Sequence, residues 1–216
     1  MKSTPRVTPL GDSAITVRLG AERSPELLRA IHLAAERVRA ARIGNVEDVV
    51  PAYLAVTVFY NPLQASFADI SKQVVDVIAS SRSENDAGTA RSHTIPVRYN
   101  GIDLESVATA TSLTTDDVVE IHSQRTYTVD LLGFVPGWAY LSELDARLQI
   151  PRRSQPRPRV AAGSVAIAAT QTGIYPLDTP GGWHIIGHTD AVMFDARRNP
   201  PALLRPGDTV RFERAT

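Results

Sequence analysis

Cysteine is absent from the 216 residues. That excludes disulfides, thiolate nucleophiles, iron–sulfur clusters and zinc–cysteine sites together. Lysine is nearly absent: Lys2 and Lys72 stand alone, so almost all positive charge is arginine, through either codon bias or a use for bidentate anion binding. Neither sign of charge prevails, with 23 basic and 23 acidic side chains. A balanced chain offers no global field to nucleic acid or to an anionic membrane. Long apolar runs are missing too. The opening MKSTPRVTPLGDSAITVRLG has no signal-peptide core and no stretch could span a bilayer, so a cytoplasmic location and no membrane partner are expected. Both familiar phosphate cradles are lacking, G-x-x-x-x-G-K-[ST] and G-x-G-x-x-G, so any ATP must meet a different surface or another polypeptide.

What is present reads as a soluble globular chain, 43% hydrophobic and 21% charged, long enough for one large domain or two small ones. Alternation in SAITVRL (13–19) predicts a strand, with Ile15, Val17 and Leu19 on one side. Ser24 then caps a helix with Pro25 in its first turn. Leu27, Ile31, Ala34, Ala35 and Val38 make its apolar stripe, and Gly44 is expected to end it. Residues 46–51 and 53–60 read as two strands before an Asn61-Pro62 break. Ser66 with Asp69 forms a capping box for a second helix, lined by Phe67, Ile70, Val74, Val77 and Ile78. The order β-α-β-β-α begins a ferredoxin-like sandwich whose last strand is missing or lies further on.

SSRSENDAGTARS (80–92) has no apolar period and reads as a linker between an α/β domain, 1–85, and a second domain, 93–216. In the latter, HTIPVRY (93–99) predicts a strand, Asn100-Gly101 a turn, and 103–111 and 115–123 two short helices, with Thr114 and Asp117 as a capping box. From Tyr127 helical periodicity gives way to short apolar runs: YTVDLLGF, GSVAIAAT, WHIIGHT, AVMFD and DTVRFE. Such runs between Gly- and Pro-containing turns belong to a compact antiparallel barrel or sandwich. The fold class expected is therefore α+β.

Several stretches invite chemistry. His184 and His188 have helical metal-ligand spacing, but the surrounding glycines favour a strand, on which they lie roughly 13 Å apart, too far for one ion. No metal site is expected. On a strand both histidines share a face with Ile186, either lining a ligand cleft or facing solvent. Ser164 in AAGSVA lacks the glycines of a nucleophile elbow, having Ala162 and Ala166 instead, and reads as a nucleophile or as a turn serine. PRRSQPRPRV (151–160) reads as an extended loop, stiffened by proline. Its Arg152, Arg153, Arg157 and Arg159 are solvated charge, an acidic-partner surface, or a fork for carboxylate or phosphate. In GFVPGWAYL (133–141), Phe134, Trp138 and Tyr140 either cap a core or wall a ligand. QTGIYPLDTPGGWHIIG (171–187) is expected to turn so that Tyr175, Trp183 and His184 stand at a cleft mouth. Alanine at Tyr175 or His184 would then lower activity and spare stability. No general base is evident.

Taken in order, GDSAITVRLG, VVPAYLAVTVFYNP, IPVRYNGIDLESVA, IHSQRTYTV, LGFVPGWAYL, PRRSQPRPRV, AGSVAIAATQTGIYPLDTPGGWHIIGHT and PALLRPGDTVRF resemble the allophanate hydrolase subunit 1 family, also called the PxpB (5-oxoprolinase B-subunit) or KipI-like family. The resemblance covers residues 6 to 213. Two departures are Ala161, where proline is frequent, and His188, where arginine is common. The resemblance implies a small ferredoxin-like α/β N-terminal domain followed by a cyclophilin-like β-barrel. It implies half of a shared active site in an ATP-dependent 5-oxoprolinase that opens 5-oxo-L-proline to L-glutamate. Partners would be a homologue of the 5-oxoprolinase C-subunit (allophanate hydrolase subunit 2) and a homologue of its A-subunit, with ATP and Mg entering the assembled complex. Two other implied functions are a carboxyltransferase subunit of the allophanate hydrolase or urea carboxylase type, and a KipI-like inhibitor of a sensor histidine kinase. The candidate substrate-binding set is Phe134, Pro136, Gly137, Arg152, Arg153, Gln171, Tyr175, Gly181, Gly182, Trp183, His184 and His188, without an assigned acid or base.

Overall fold

The computed structural model describes residues 5–80 and 90–215. Most of the expected linker, 81–89, lies outside the described residues. The chain divides into two compact units, Met1–Thr89 and Ala90–Thr216.

The first unit contains β1 (Arg6–Pro9), β2 (Ala14–Arg18), α1 (Pro25–Ala40), β3 (Val46–Ala52), β4 (Ala55–Tyr60) and α2 (Phe67–Ser80). Ser24 starts α1 by accepting the Leu27 amide at 3.1 Å, which satisfies one of the orphan donors of the first turn. The helix stops at Ala40 rather than at Gly44, because Arg42 already turns left-handed at φ 46°. Ser66 caps α2 reciprocally with Asp69, at 3.2 Å to its amide and 2.7 Å to its carboxylate. Phe67, expected on the buried stripe, is exposed at the start of that helix.

The sheet is antiparallel between neighbours, in the order β1-β2-β4-β3. Two antiparallel steps through β4 make β2 and β3 parallel, so α1 is the crossover of a split βαβ unit. The final strand of the ferredoxin-like pattern neither is missing nor comes later in the chain. Its place beside β2 is taken by β1, which precedes everything else and pairs Val7 with Val17. Ile15, Val17, Val56 and Val58 pack beneath Ile31, Ala35, Ile70 and Val74, all fully buried. Each such branched side chain contributes roughly 1.5–3 kcal/mol on leaving water.

The second unit contains β5 (Ser92–Val97), α3 (Leu104–Thr111), α4 (Thr115–Ser123), β6 (Thr126–Leu132), β7 (Ala139–Ser142), β8 (Arg157–Val160), β9 (Ser164–Ala168), β10 (Gln171–Ile174), β11 (Thr179–Gly181), β12 (His184–His188) and β13 (Thr209–Arg214). Seven strands form one sheet, in the order β12-β9-β10-β7-β6-β13-β5. Its two edges meet where the Arg98 and His188 amides each donate to the other's carbonyl at 2.8 Å. The sheet thereby closes on itself into the cyclophilin-like barrel. Closure protects strand edges that would otherwise be open to pairing.

Every residue of β9 is buried, which explains the unbroken apolar run there. Val165 and Ile167 point into the barrel with Tyr127, Val129, Leu141, Ile186 and Phe212, under Val107 and Val118 from the helices. Ala166 and Ala168 point outward into a second cluster with Trp138, Val160, Tyr175 and Trp183. A two-stranded ribbon of β8 and β11 supplies Val160 to that cluster. Residues 157–160, expected as loop, are thus a strand. Pro158 is tolerated because a two-stranded ribbon leaves one backbone edge unpaired. AVMFD, expected as a strand, makes only a single bridge between Phe194 and Ala202.

Candidate functional site

The outer aromatic cluster is built where the segment 151–153 runs beside 182–184. The Arg153 amide donates to the Gly182 carbonyl at 2.9 Å, and His184 Nε2 bonds the Pro151 carbonyl at 2.9 Å. A carbonyl only accepts, so His184 Nε2 carries the hydrogen. Extended segments alternate their side chains. Arg152 accordingly shares a side with Trp183, its guanidinium 5.9 Å from the ring centroid, while Arg153 turns away.

Arg153 turns toward Asp103, which is 3% exposed. One carboxylate there accepts Arg153 Nη1 at 3.1 Å, both Arg157 Nη atoms at 2.9 and 2.7 Å, and the Ile185 amide at 2.8 Å. Burial pushes the Asp103 acid up, but bonds from Arg157 and Ile185 and the charges of both arginines outweigh it. They hold the carboxyl below its usual range. Asp103 immediately precedes α3 and makes no side-chain cap bond; instead it fastens the arginine segment to β12. In sequence it looks like an ordinary helix cap, which concealed this role. Arg159 pairs elsewhere, with Asp178 at 2.9 Å.

Trp138 stands at the centre of the rings, with Tyr175 at 4.7 Å, Trp183 at 4.9 Å, and Tyr140 and Phe134 at 5.8 Å, all edge-to-face. Such contacts add about 0.5–1.5 kcal/mol each beyond burial. Tyr175 is 1% exposed and Trp183 5%, so neither stands at a cleft mouth. Gly181 has to be glycine, since a Cβ there would fall on the Tyr175 hydroxyl. Burial pushes the Tyr175 phenol up, opposed by a bond from the Trp183 backbone and by the charges of Arg152 and Arg157.

Phe134, by contrast, is 59% exposed and has φ 68°, a left-handed backbone that is unfavourable for a bulky side chain. Pro136 is exposed beside it. Gly137, at φ 83°, closes the turn, and a Cβ there would lie 2.6 Å from that of Phe194. Gln171 opens β10 opposite Ala168 and Ser142, on the same outer face. Its Nε2 and Trp138 Nε1 are buried without hydrogen-bond partners among the described residues. Ser142 donates to the buried carboxylate of Asp130 at 2.6 Å. Sequence reasoning passed over Asp130 because it sits inside an apolar strand, at a bulge between Val129 and Leu131.

The two histidines part company. A bulge between Ile185 and Gly187 shifts the alternation of β12, so that His184 pairs with inward-facing Ile167 and His188 with Ser164. They do not share a face. His188 belongs to the barrel seam, 3.6 Å from Asp190, which Arg98 grips with two bonds of 2.8 Å. Gly182 lies against Pro156. Phe134, Tyr175 and Trp183 therefore gather around Trp138, with Gly181 against Tyr175 and Arg152 over Trp183; Pro136 and Gly137 lie in the turn after Phe134, Gln171 on the same outer face of the sheet, Arg153 and His184 at the flank, and His188 at the seam. Among the described residues no group of three or more His, Asp or Glu side chains is placed to hold a metal, and no helix is long and apolar enough to cross a membrane.

A closing barrel with a βαβ-type unit before it defines the class, and comparison with known proteins agrees. Residues 5–204 match the family described as carboxyltransferase domain, subdomain C and D. The 5-oxoprolinase B-subunit of Bacillus subtilis (strain 168) is 36% identical over 222 residues, spanning 97% of this chain and 92% of that protein. A crystal structure of TTHA0988 superposes with a TM-score of 0.83 at 38% identity, covering 94% of this chain but only 40% of that one. Urea carboxylase of Kluyveromyces lactis shares the fold, with a TM-score of 0.74 at 18% identity over 98% of this chain and 22% of its own. The chain belongs to the 5-oxoprolinase B-subunit (PxpB, or allophanate hydrolase subunit 1) family of carboxyltransferase-domain proteins.

Proposed function

We propose that this chain is one component of an ATP-dependent 5-oxoprolinase that hydrolyses 5-oxo-L-proline to L-glutamate in the cytoplasm, and that it contributes half of a shared active site. The observation that carries this reading is near full-length similarity to a protein named as the B-subunit of 5-oxoprolinase. A five-membered lactam is a stable amide; phosphorylating its carbonyl oxygen would open it to attack by water, which accounts for a need for ATP. Developing phosphate charge then calls for fixed positive donors. The arginine segment with its aromatic surface offers such donors, whereas no acid–base pair is evident beside them.

The remaining walls would come from partner chains, homologues of the C-subunit (allophanate hydrolase subunit 2) and of the A-subunit. TTHA0988 supports this, since the part resembling this chain is 40% of a longer polypeptide. The reading assigns Mg and ATP to the assembled complex, and predicts that the chain alone is inactive. A second reading, a carboxyltransferase component that works on a urea-like substrate, draws on the family's description.

The test is an omission experiment. The chain and both candidate partners are purified, and glutamate and ADP release from 5-oxoproline is measured with each protein left out in turn. Release that needs all three supports the proposal. Hydrolysis by this chain alone would refute the half-site, and hydrolysis without it would remove the chain from the enzyme.

A further inference from the structure

We propose that Arg152 is the oxyanion anchor of this surface, its guanidinium edge taking a carboxylate or phosphoryl group of a ligand whose body lies against the exposed ring of Phe134. The choice of ligand rests on the proposed 5-oxoprolinase function; the anchor itself rests on geometry.

Charge in the segment is unevenly compensated. Arg153 and Arg157 share Asp103, and Arg159 has Asp178. Arg152 has no carboxylate and no hydrogen-bond partner among the described residues; its guanidinium lies over the Trp183 ring, 5.9 Å from the centroid. A cation–π contact uses the charge of the guanidinium and none of its N–H donors, which stay available for planar, bidentate recognition. The indole is itself rigid, because Trp183 is buried against Trp138 and Tyr140. The backbone bonds of Arg153 and His184 on either side hold the segment in register. Arg152 is thus an oriented charge whose fork is unused.

Two further donors point to a ligand on the same face. Trp138 Nε1, in a residue only 2% exposed, and Gln171 Nε2 both lack partners. Both belong to the outer face that carries Trp183, where an unsatisfied donor calls for an acceptor oxygen. Phe134, exposed and held in a left-handed conformation at the rim, supplies an apolar wall.

The chain contains just two tryptophans, and both belong to this cluster, so their fluorescence reports its occupancy. The full chain is titrated with 5-oxo-L-proline, with the neutral 5-oxoprolinamide, and with ATP. The expected result is a saturable change with at least one of the two anions. Arg152→Gln should raise the Kd of that anion about tenfold or more, and Arg152→Lys should recover part of the loss, as a point charge replaces a fork. Binding of 5-oxoproline much tighter than of its amide identifies a carboxylate; saturation by ATP identifies a phosphoryl group. The melting temperature of both variants should match the parent, since Arg152 is exposed.

The anchor is overturned if neither anion saturates, if Arg152→Gln leaves every Kd unchanged, or if that variant weakens only assembly with the partner chains. Saturable binding alongside an inactive three-protein mixture would keep the anchor and remove the oxoprolinase. Hydrolysis with an unaltered KM in Arg152→Gln would do the opposite.

Discussion

Tyr175 and Gly181 occupy one space: the tyrosine hydroxyl lies where a Cβ of residue 181 would be. The ribbon strand crosses the ring only because that residue has no side chain. Gly181→Ala should destabilise the protein by about 1–3 kcal/mol through overpacking. Tyr175→Phe removes the oxygen, so adding Gly181→Ala to it should cost clearly less, a coupling that a double-mutant cycle in urea detects. Tyr175→Ala should cost about 3–5 kcal/mol, which reverses the sequence-based expectation that alanine there would spare stability. Equal costs of Gly181→Ala in both backgrounds would show that the two residues do not compete.

Asp103 organises the flank, and its loss should be felt in stability first. Asp103→Ala leaves Arg153 and Arg157 half-buried without their shared carboxylate, an arrangement costing about 3–5 kcal/mol. The pH dependence has a definite sign. A carboxyl held below 3.8 in the folded state stabilises fully above its unfolded value and loses that contribution as pH falls through the folded one. The gap in urea midpoint between parent and Asp103→Ala should therefore be wide at pH 7 and narrow on acidification below pH 3.8. A gap that stayed constant down the acid range would mean the carboxylate is not what stabilises this flank.

Local signals made much of the fold legible. The caps at Ser24, Ser66 and Thr114 and the alternation of residues 13–19 are written within a few residues, so short-range physics decides them. The strands β1, β7, β10 and β11 are too short to carry a period, and they form because a neighbour completes them. The site was legible as a set of residues and not as an arrangement. Composition cannot tell a ring that lines a cleft from one that fills a core, so Phe134 and Tyr175 look alike in sequence and differ completely in exposure. Strand arithmetic placed His184 and His188 on one face, and one extra residue in β12 undid it. Arg152 and Arg153 were indistinguishable neighbours until Asp103, distant in sequence, claimed one of them.

A buried polar chain inside the barrel gives a second pH prediction. Thr172 Oγ1 donates to the Ala166 carbonyl at 3.0 Å, so it accepts from His122 Nε2 at 2.9 Å. His122 Nδ1 must then accept the Tyr99 hydroxyl at 2.8 Å. Burial alone lowers this imidazole from 6.5 to about 3. NMR should show a neutral Nε2–H tautomer that does not titrate between pH 8 and 5. Because the unfolded chain takes up a proton that the folded one refuses, stability should fall as pH drops from 6.5 toward 3. His122→Gln should flatten that slope by up to one proton. An imidazole titrating near 6.5 in the folded protein would contradict the network.

The barrel seam separates backbone from side-chain contributions. Arg98 and Asp190 make a bidentate pair, and it pulls the arginine up and the carboxyl down, but both lie in solvent, where such pairs add little to stability. The reciprocal Arg98 and His188 backbone bonds lie just beneath, and with the Gly101 and Asp103 amides on the Ile186 and Ile185 carbonyls they close the sheet. Asp190→Asn should consequently leave the melting temperature nearly unchanged. His188→Pro removes the donor to the Arg98 carbonyl and should cost about 3 kcal/mol or more. Amide exchange should then quicken along Ser92–Val97 and His184–His188, the two edges set free. If Asp190→Asn proved the more damaging change, closure would depend on the surface ion pair and the seam bonds would be incidental.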